Sequence, residues 1–160
     1  MRDLRNKRAV SPVIATVILV AIAITVAVAV AYWIGGITGQ YTQFEKIEVS
    51  TAYASGNATH WDVTLNLKNT GTTQASVTDV FVNAKSYADY GSGNIVVIAG
   101  GATLPATGYL VLSGATGKIV VSIDKTPSPA SSYSWSSGTT IEVALHTGAG
   151  NTYMKMVTLP

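Results

Sequence analysis

Cysteine is absent from the 160 residues, so the chain can form no disulfide, thiolate metal site or thiol nucleophile. Histidine is nearly absent too. His60 and His146 stand in no metal-ligand spacing such as H-E-x-x-H, and read as ordinary strand-end residues. Neither a G-x-S-x-G elbow nor a P-loop occurs. The oxygen-rich run Asp89 to Asn94 has one carboxylate among glycines, which reads as a turn rather than a calcium loop. An enzyme is therefore not expected, and neither is a cofactor or a metal.

Charge is the next scarcity. Charged residues make up 11% of the chain and apolar ones 48%, where an average soluble domain has roughly a quarter charged. Disorder and a charge-dense coiled coil are both excluded by that balance. A net charge of +2 also excludes a strongly basic nucleic-acid binder. The charges are unevenly placed. Arg2, Asp3, Arg5, Lys7 and Arg8 crowd the first eight residues, and no charged side chain follows until Glu45, a gap of 36 residues.

Apolar residues fill that gap. Val13 to Ile34 is 22 residues interrupted only by Thr16 and Thr25, and at about 1.5 Å per residue a helix of that length spans a hydrocarbon layer of roughly 30 Å. Its many β-branched residues would make a poor helix in water, but in lipid a lone segment must satisfy its own backbone and helix is the one way to do so. Basic residues before the span and Glu45 and Glu48 after it place the amino terminus in the cytoplasm and the body outside. Ser11 is a suitable N-cap and Pro12 suits the first helical position, where its missing N–H costs nothing. Gly35, Gly36 and Gly39 weaken the far end, while Tyr32, Trp33 and Tyr41 suit a membrane interface. The helix is expected to run, with room for a bend, to about Phe44. Within it Ala23, Ala27, Ala31, Gly35 and Gly39 recur every fourth residue, a row of small side chains that lets a second helix approach closely.

After Glu45 the period changes to two. Trp61, Val63, Leu65 and Leu67 alternate with Asp62, Thr64, Asn66 and Lys68, as in a half-buried strand. Strands are predicted at Glu45 to Tyr53, Trp61 to Lys68, Val77 to Ala84, Asn94 to Ile98, Tyr109 to Leu112, Lys118 to Ile123, Thr139 to His146 and Thr152 to Leu159. Turn-forming clusters such as Asn69-Thr70-Gly71 separate them, and no second helical pattern appears. The expected fold is α+β: a long amino-terminal hydrophobic helix followed by an antiparallel immunoglobulin-like β-sandwich. Residues 1–9 form a leader, 10–44 the helix and 45–160 the head. Thr126 to Gly138, rich in Ser and Pro, reads as an exposed loop whose Tyr133 and Trp135 are candidate contact residues. Asn57-Ala58-Thr59 is a glycosylation acceptor in a predicted turn, and the twenty Thr and fourteen Ser of the chain give a neutral polar surface.

The amino terminus narrows the reading. Ala29-Val30-Ala31 could serve as an ordinary secretory cut, but the apolar stretch exceeds the roughly 7 to 15 residues of a secretory signal. A small residue, Ala9, directly follows Lys7-Arg8 and precedes the helix. The segment from Lys7 through Ala9-Val10-Ser11-Pro12-Val13-Ile14 to Ala23 closely resembles the class III signal and helix of archaeal type IV pilins. That resemblance implies a cut by prepilin peptidase between Ala9 and Val10. It implies a helix that stays in the cytoplasmic membrane until the pilus machinery assembles it, and then packs against identical subunits as the core of a helical filament at the cell surface. Adhesion to a surface ligand is the role usually implied. The resemblance covers residues 7 to about 34, and the remainder agrees in general design, including an Asn-Thr-Gly turn after the second strand. Bacterial type IV pilins have Glu at the fifth mature position, where this chain has Ile14. Archaellins share the leader logic, but Val-Ser-Pro-Val-Ile looks more like a pilin. Two other fates fit the same residues: a single-pass surface protein whose sandwich binds a sugar or peptide, and a secreted domain cut after Ala31.

Overall fold

The computed structural model describes residues 11–130 and 132–160. It divides into two compact units, parted between Thr42 and Gln43.

The first unit is helix α1, Pro12–Tyr41, 30 residues or about 45 Å long. It starts at Pro12, as the sequence predicts, with the Ala15 N–H donating to the Ser11 carbonyl at 3.1 Å. Ser11 does not cap through its side chain as expected; the fixed φ of Pro12 and the Ser11 carbonyl make the start without it. The helix runs uninterrupted through Gly35, Gly36 and Gly39 and closes at Thr42, whose N–H donates to Thr38. It stops short of Phe44 because the Phe44 backbone is engaged elsewhere: its N–H donates to the Thr72 hydroxyl and its carbonyl accepts from the Thr72 and Thr73 N–H groups. Ala9 and Val10, the expected cleavage pair, lie outside the described residues.

The second unit is a two-sheet sandwich. Its strands are β1 (Ile47–Gly56), β2 (His60–Asn69), β3 (Ala75–Val82), β4 (Lys85–Ser86), β5 (Ile95–Ala99), β6 (Ala102–Thr103), β7 (Tyr109–Val111), β8 (Thr116–Asp124), β9 (Thr140–Thr147) and β10 (Thr152–Thr158). One sheet has the order β1-β2-β8-β5-β6; the other has β10-β9-β3-β4, with β7 also paired to β3. Every pairing is antiparallel. Taken in chain order, the seven longer strands give the first, second, fifth and fourth in one sheet and the seventh, sixth and third in the other, which is the immunoglobulin constant-type arrangement. The two-residue strands β4 and β6 and the 3-10 turn Tyr87–Tyr90 are additions that the sequence period is too short to reveal.

Period-two patterning builds the core. Trp61, Val63, Leu65 and Leu67 of β2 point inward beside Ile119, Val121 and Ile123 of β8, and face Val77, Val80 and Val82 of β3 and Ile141, Val143 and Leu145 of β9. Truncating any of the large ones to Ala would cost about 2–5 kcal/mol through lost burial and the cavity left behind. The Trp61 indole also donates to the Pro160 carbonyl at 3.2 Å, tying the last residues to β2.

Most described residues of the Thr126 to Gly138 segment are exposed and outside any helix or strand, as the composition predicts, but Tyr133 and Trp135 turn inward. Tyr133 is buried at 9% exposure and Trp135 is half-buried against the core. Their rings stack at 4.4 Å, and Tyr90 meets them at 5.7 Å and 5.5 Å. The Tyr133 hydroxyl lies 2.5 Å from the Asp124 carbonyl and 3.0 Å from that of Asn94. The Ser and Pro residues shape turns, but two large rings gain more by leaving water than a loop gains by displaying them. Asn94 completes the seam: its side-chain amide donates to the carbonyls of Tyr90 and Ser128, and its oxygen accepts from the Ser128 N–H. The Asp89 to Asn94 turn is therefore held by an amide.

Candidate functional site

The chain's most unusual surface is α1. Apart from half-buried Ile37, its described side chains are exposed, and large apolar residues from Val13 to Ile34 cover every side of it. A surface helix of a soluble domain has one apolar stripe; a helix apolar all round belongs in lipid or inside a bundle. Three of its polar side chains are already satisfied. The hydroxyls of Thr16, Thr25 and Thr38 donate to the carbonyls of Val13, Ala21 and Ile34 at 2.9, 2.8 and 2.8 Å. This back-bonding lets a hydroxyl enter an apolar surrounding without an unpaired donor.

Ala23, Ala27, Ala31, Gly35 and Gly39 form one i+4 ridge along α1. Such a ridge is inclined by about 26° to the helix axis, and small side chains along it favour close crossings of about −40°. A Cβ built on Gly35, Gly36 or Gly39 would meet nothing within 4 Å. Contacts within the chain therefore give no reason for glycine at these positions. Beside Gly36, the side chains of Tyr32, Trp33 and Ile37 border an apolar hollow of about 320 Å³.

Within the head, the segment that leads into β1 is clamped by the Asn69-Thr70-Gly71 turn. The N–H groups of Thr70 and Gly71 donate to the Lys46 carbonyl at 2.8 and 3.2 Å, and those of Thr72 and Thr73 donate to Phe44 at 3.0 and 3.3 Å. Asn69 is fully buried and shapes the turn: its amide donates to the Thr73 and Val111 carbonyls at 2.8 and 2.9 Å, and its oxygen accepts from the Gly71 N–H at 2.9 Å. Glycine is required at 71, where a Cβ would lie 2.5 Å from the Phe44 oxygen and 2.6 Å from the Lys46 nitrogen. The sequence marks this tripeptide as a turn. Its role as a clamp depends on residues more than twenty positions away and has no local signal.

Asn57 is exposed in the β1–β2 turn. Its side-chain oxygen accepts from the N–H groups of Thr59 and His60 at 2.9 and 2.7 Å and lies 3.3 Å from the Thr59 hydroxyl, so the amide nitrogen remains available. The Lys125 ammonium donates to the Asn57 carbonyl at 2.5 Å and fixes the turn from the far side. Among the described residues, no group of three or more His, Asp or Glu side chains could hold a metal ion.

No family model matches the chain, and no curated protein matches it in sequence. Solved structures do. The archaellum periplasmic stator protein FlaG from Sulfolobus acidocaldarius is 17% identical with a TM-score of 0.48, over 71% of this chain and 99% of that one. The stator complex of FlaF and FlaG from the same organism gives 20% identity and a TM-score of 0.43, over 71% and 89%. A flagellar-like filament gives 13% identity and a TM-score of 0.35, over 93% and 98%.

Of the residues singled out from the sequence, the five of the small-residue row fall on one ridge of α1 and Asn57 is exposed in its turn. Tyr133 and Trp135 do not form a contact surface; they pack into the head.

Proposed function

We propose that this chain is the structural subunit of an archaeal type IV adhesion pilus, assembling through α1 after prepilin peptidase cuts between Ala9 and Val10. One observation carries the reading. An exposed helix 30 residues long, apolar on all sides, cannot stay in water, where contiguous exposed apolar patches rarely exceed a few hundred Å². Lipid accepts such a helix, and so does a ring of identical helices. Exchange between two apolar surroundings involves no large hydrophobic term, so close packing decides which is preferred. The ridge from Ala23 to Gly39 favours the ring, because small residues let backbones approach and gain dispersion contacts that lipid tails do not give. The sandwich then lies outside as the filament's surface, and its sparse charge leaves Ser, Thr and Asn, with sugar on Asn57, to keep it soluble.

The precursor sits in the cytoplasmic membrane with its basic amino terminus inside, and its partners there are the peptidase and the assembly machinery. Mass spectrometry of surface material combined with electron microscopy tests the proposal. A mature amino terminus at Val10 on subunits drawn from filaments is the expected result. An intact Met1 on unassembled, membrane-held protein would refute it in favour of a single-pass surface protein.

A further inference from the structure

A groove of about 470 Å³ opens on the head where β1, β2 and β8 meet the turn between β5 and β6. Asn66 and Lys118 stand opposite each other in register across β2 and β8, and Ser50, Thr116 and Tyr109 complete the polar lining. Two glycines shape its floor. A Cβ on Gly100 would lie 2.8 Å from Cε2 of Tyr109, and one on Gly117 would lie 3.0 Å from Cε1. Gly100 also has φ +60, and its N–H donates to the Lys118 carbonyl at 3.0 Å. The Tyr109 ring thus rests over two bare backbone positions, where a side chain at either would displace it.

The polar groups of the lining are free to bind. The Tyr109 and Thr116 hydroxyls and the Lys118 ammonium make no hydrogen bond or ion pair with any described residue. Asn66 spends one N–H on the Thr51 hydroxyl at 2.7 Å and keeps its other amide groups. Ser50, the extra residue of a bulge between Val49 and Thr51, donates to the Asn66 carbonyl at 3.0 Å, which holds the edge of the groove in place.

We propose that this groove binds an acidic saccharide, with Lys118 meeting the sugar carboxylate, Asn66, Thr116 and the Tyr109 hydroxyl meeting ring hydroxyls, and the Tyr109 ring packing on the sugar's apolar face. An aromatic ring beside hydroxyls and an amide suits a pyranose, which is both apolar and rich in hydroxyls. A single ammonium, with no Asp or Glu in the lining, suits pairing with one carboxylate of such a sugar. A nucleic-acid backbone would call for several cations, because its affinity comes from neutralising phosphates in number. The groove gives the adhesion reading a ligand class, and rests on that reading only in needing the head to face outward.

Calorimetry of the full chain in detergent, titrated with trigalacturonate and with neutral maltotriose, tests the groove without requiring filaments. A failure of assembly and a failure of the groove are then read separately. Trigalacturonate is expected to bind, at least tenfold more tightly than maltotriose, and more weakly as salt rises. Lys118→Gln is expected to weaken it about tenfold or more and Tyr109→Phe about fivefold, the difference between a charged and a neutral hydrogen bond. Lys155→Gln, on β10, is expected to change nothing. Absence of trigalacturonate binding, equal affinity for the two sugars, or full affinity in Lys118→Gln would each overturn the proposal.

Discussion

Replacing Gly71 by Ala is the sharpest test of how the head is held together. The added methyl would lie 2.5 Å from the Phe44 oxygen and 2.6 Å from the Lys46 nitrogen. Both are backbone atoms that cannot rotate away, so the turn and the entering segment must separate by the better part of an ångström. Among the hydrogen bonds that join them are five of 3.3 Å or less: four from the N–H groups of Thr70, Gly71, Thr72 and Thr73, and one from the Phe44 N–H to the Thr72 hydroxyl. At about 1 kcal/mol each, losing two of the five and overpacking at the low end of about 1–3 kcal/mol gives a destabilisation of about 3 kcal/mol. For a domain of this size each kcal/mol lowers Tm by roughly 4 °C, so the melting point of the head should fall by about 12 °C. Calorimetry or near-ultraviolet circular dichroism of the full chain in detergent reads it directly. Gly36→Ala, in α1, is the control: its added Cβ meets nothing within 4 Å beyond the helix's own backbone and its chain neighbours, and the head's melting point should not change. A Gly71→Ala melting point within about 2 °C of the parent would refute the clamp.

Four further outcomes follow from the same geometry. Ala27→Leu combined with Ala31→Leu should leave the head's melting point unchanged and sharply reduce filament yield; unchanged yield and diameter in micrographs would remove the ridge from assembly. Trp135→Ala should lower head stability by about 2–4 kcal/mol, because a ring stacked on Tyr133 is lost; a urea midpoint matching the parent's would contradict its packed position. Burial, with the charge of Asp124 adding to it, pushes the Tyr133 phenol from 10.0 up to about 12. Between those values the unfolded chain releases a proton that the folded head retains, so stability should fall as pH rises through that window and stay level below it. Urea midpoints should show a shallower fall in Tyr133→Phe, and identical slopes would exclude this group as the cause. Asn57→Gln should remove a discrete glycan mass from surface-derived protein, and a parent with no added mass at that peptide would end the glycosylation proposal.

Much of the architecture is written in local patterns. The long apolar run between Arg8 and Glu45 and Pro12 at its head define α1 to within three residues of its end. Alternation along β2 places Trp61, Val63, Leu65 and Leu67 in the core, because a strand's side chains change face at every step. The helix end was misread because Phe44 continues an apolar pattern. It leaves the helix only because Thr72 and Thr73 compete for its backbone from 28 and 29 residues away. Tyr133 and Trp135 were misread for the complementary reason: Ser and Pro around them report backbone shape, whereas the burial of a ring depends on what stands opposite it.

The sequence by itself determined that one part of this protein is built for apolar surroundings and the other for water, since hydropathy and its period are properties of neighbouring residues. It also determined the eight strands of the head that are longer than two residues, for the same reason. Tertiary structure alone decided how seven strands divide between two sheets, why Gly71 must be glycine, and that Lys118, Tyr109, Asn66 and Gly100 border one groove. Each of those facts is a contact between segments far apart in the chain, and a period read along one segment contains no term for the other.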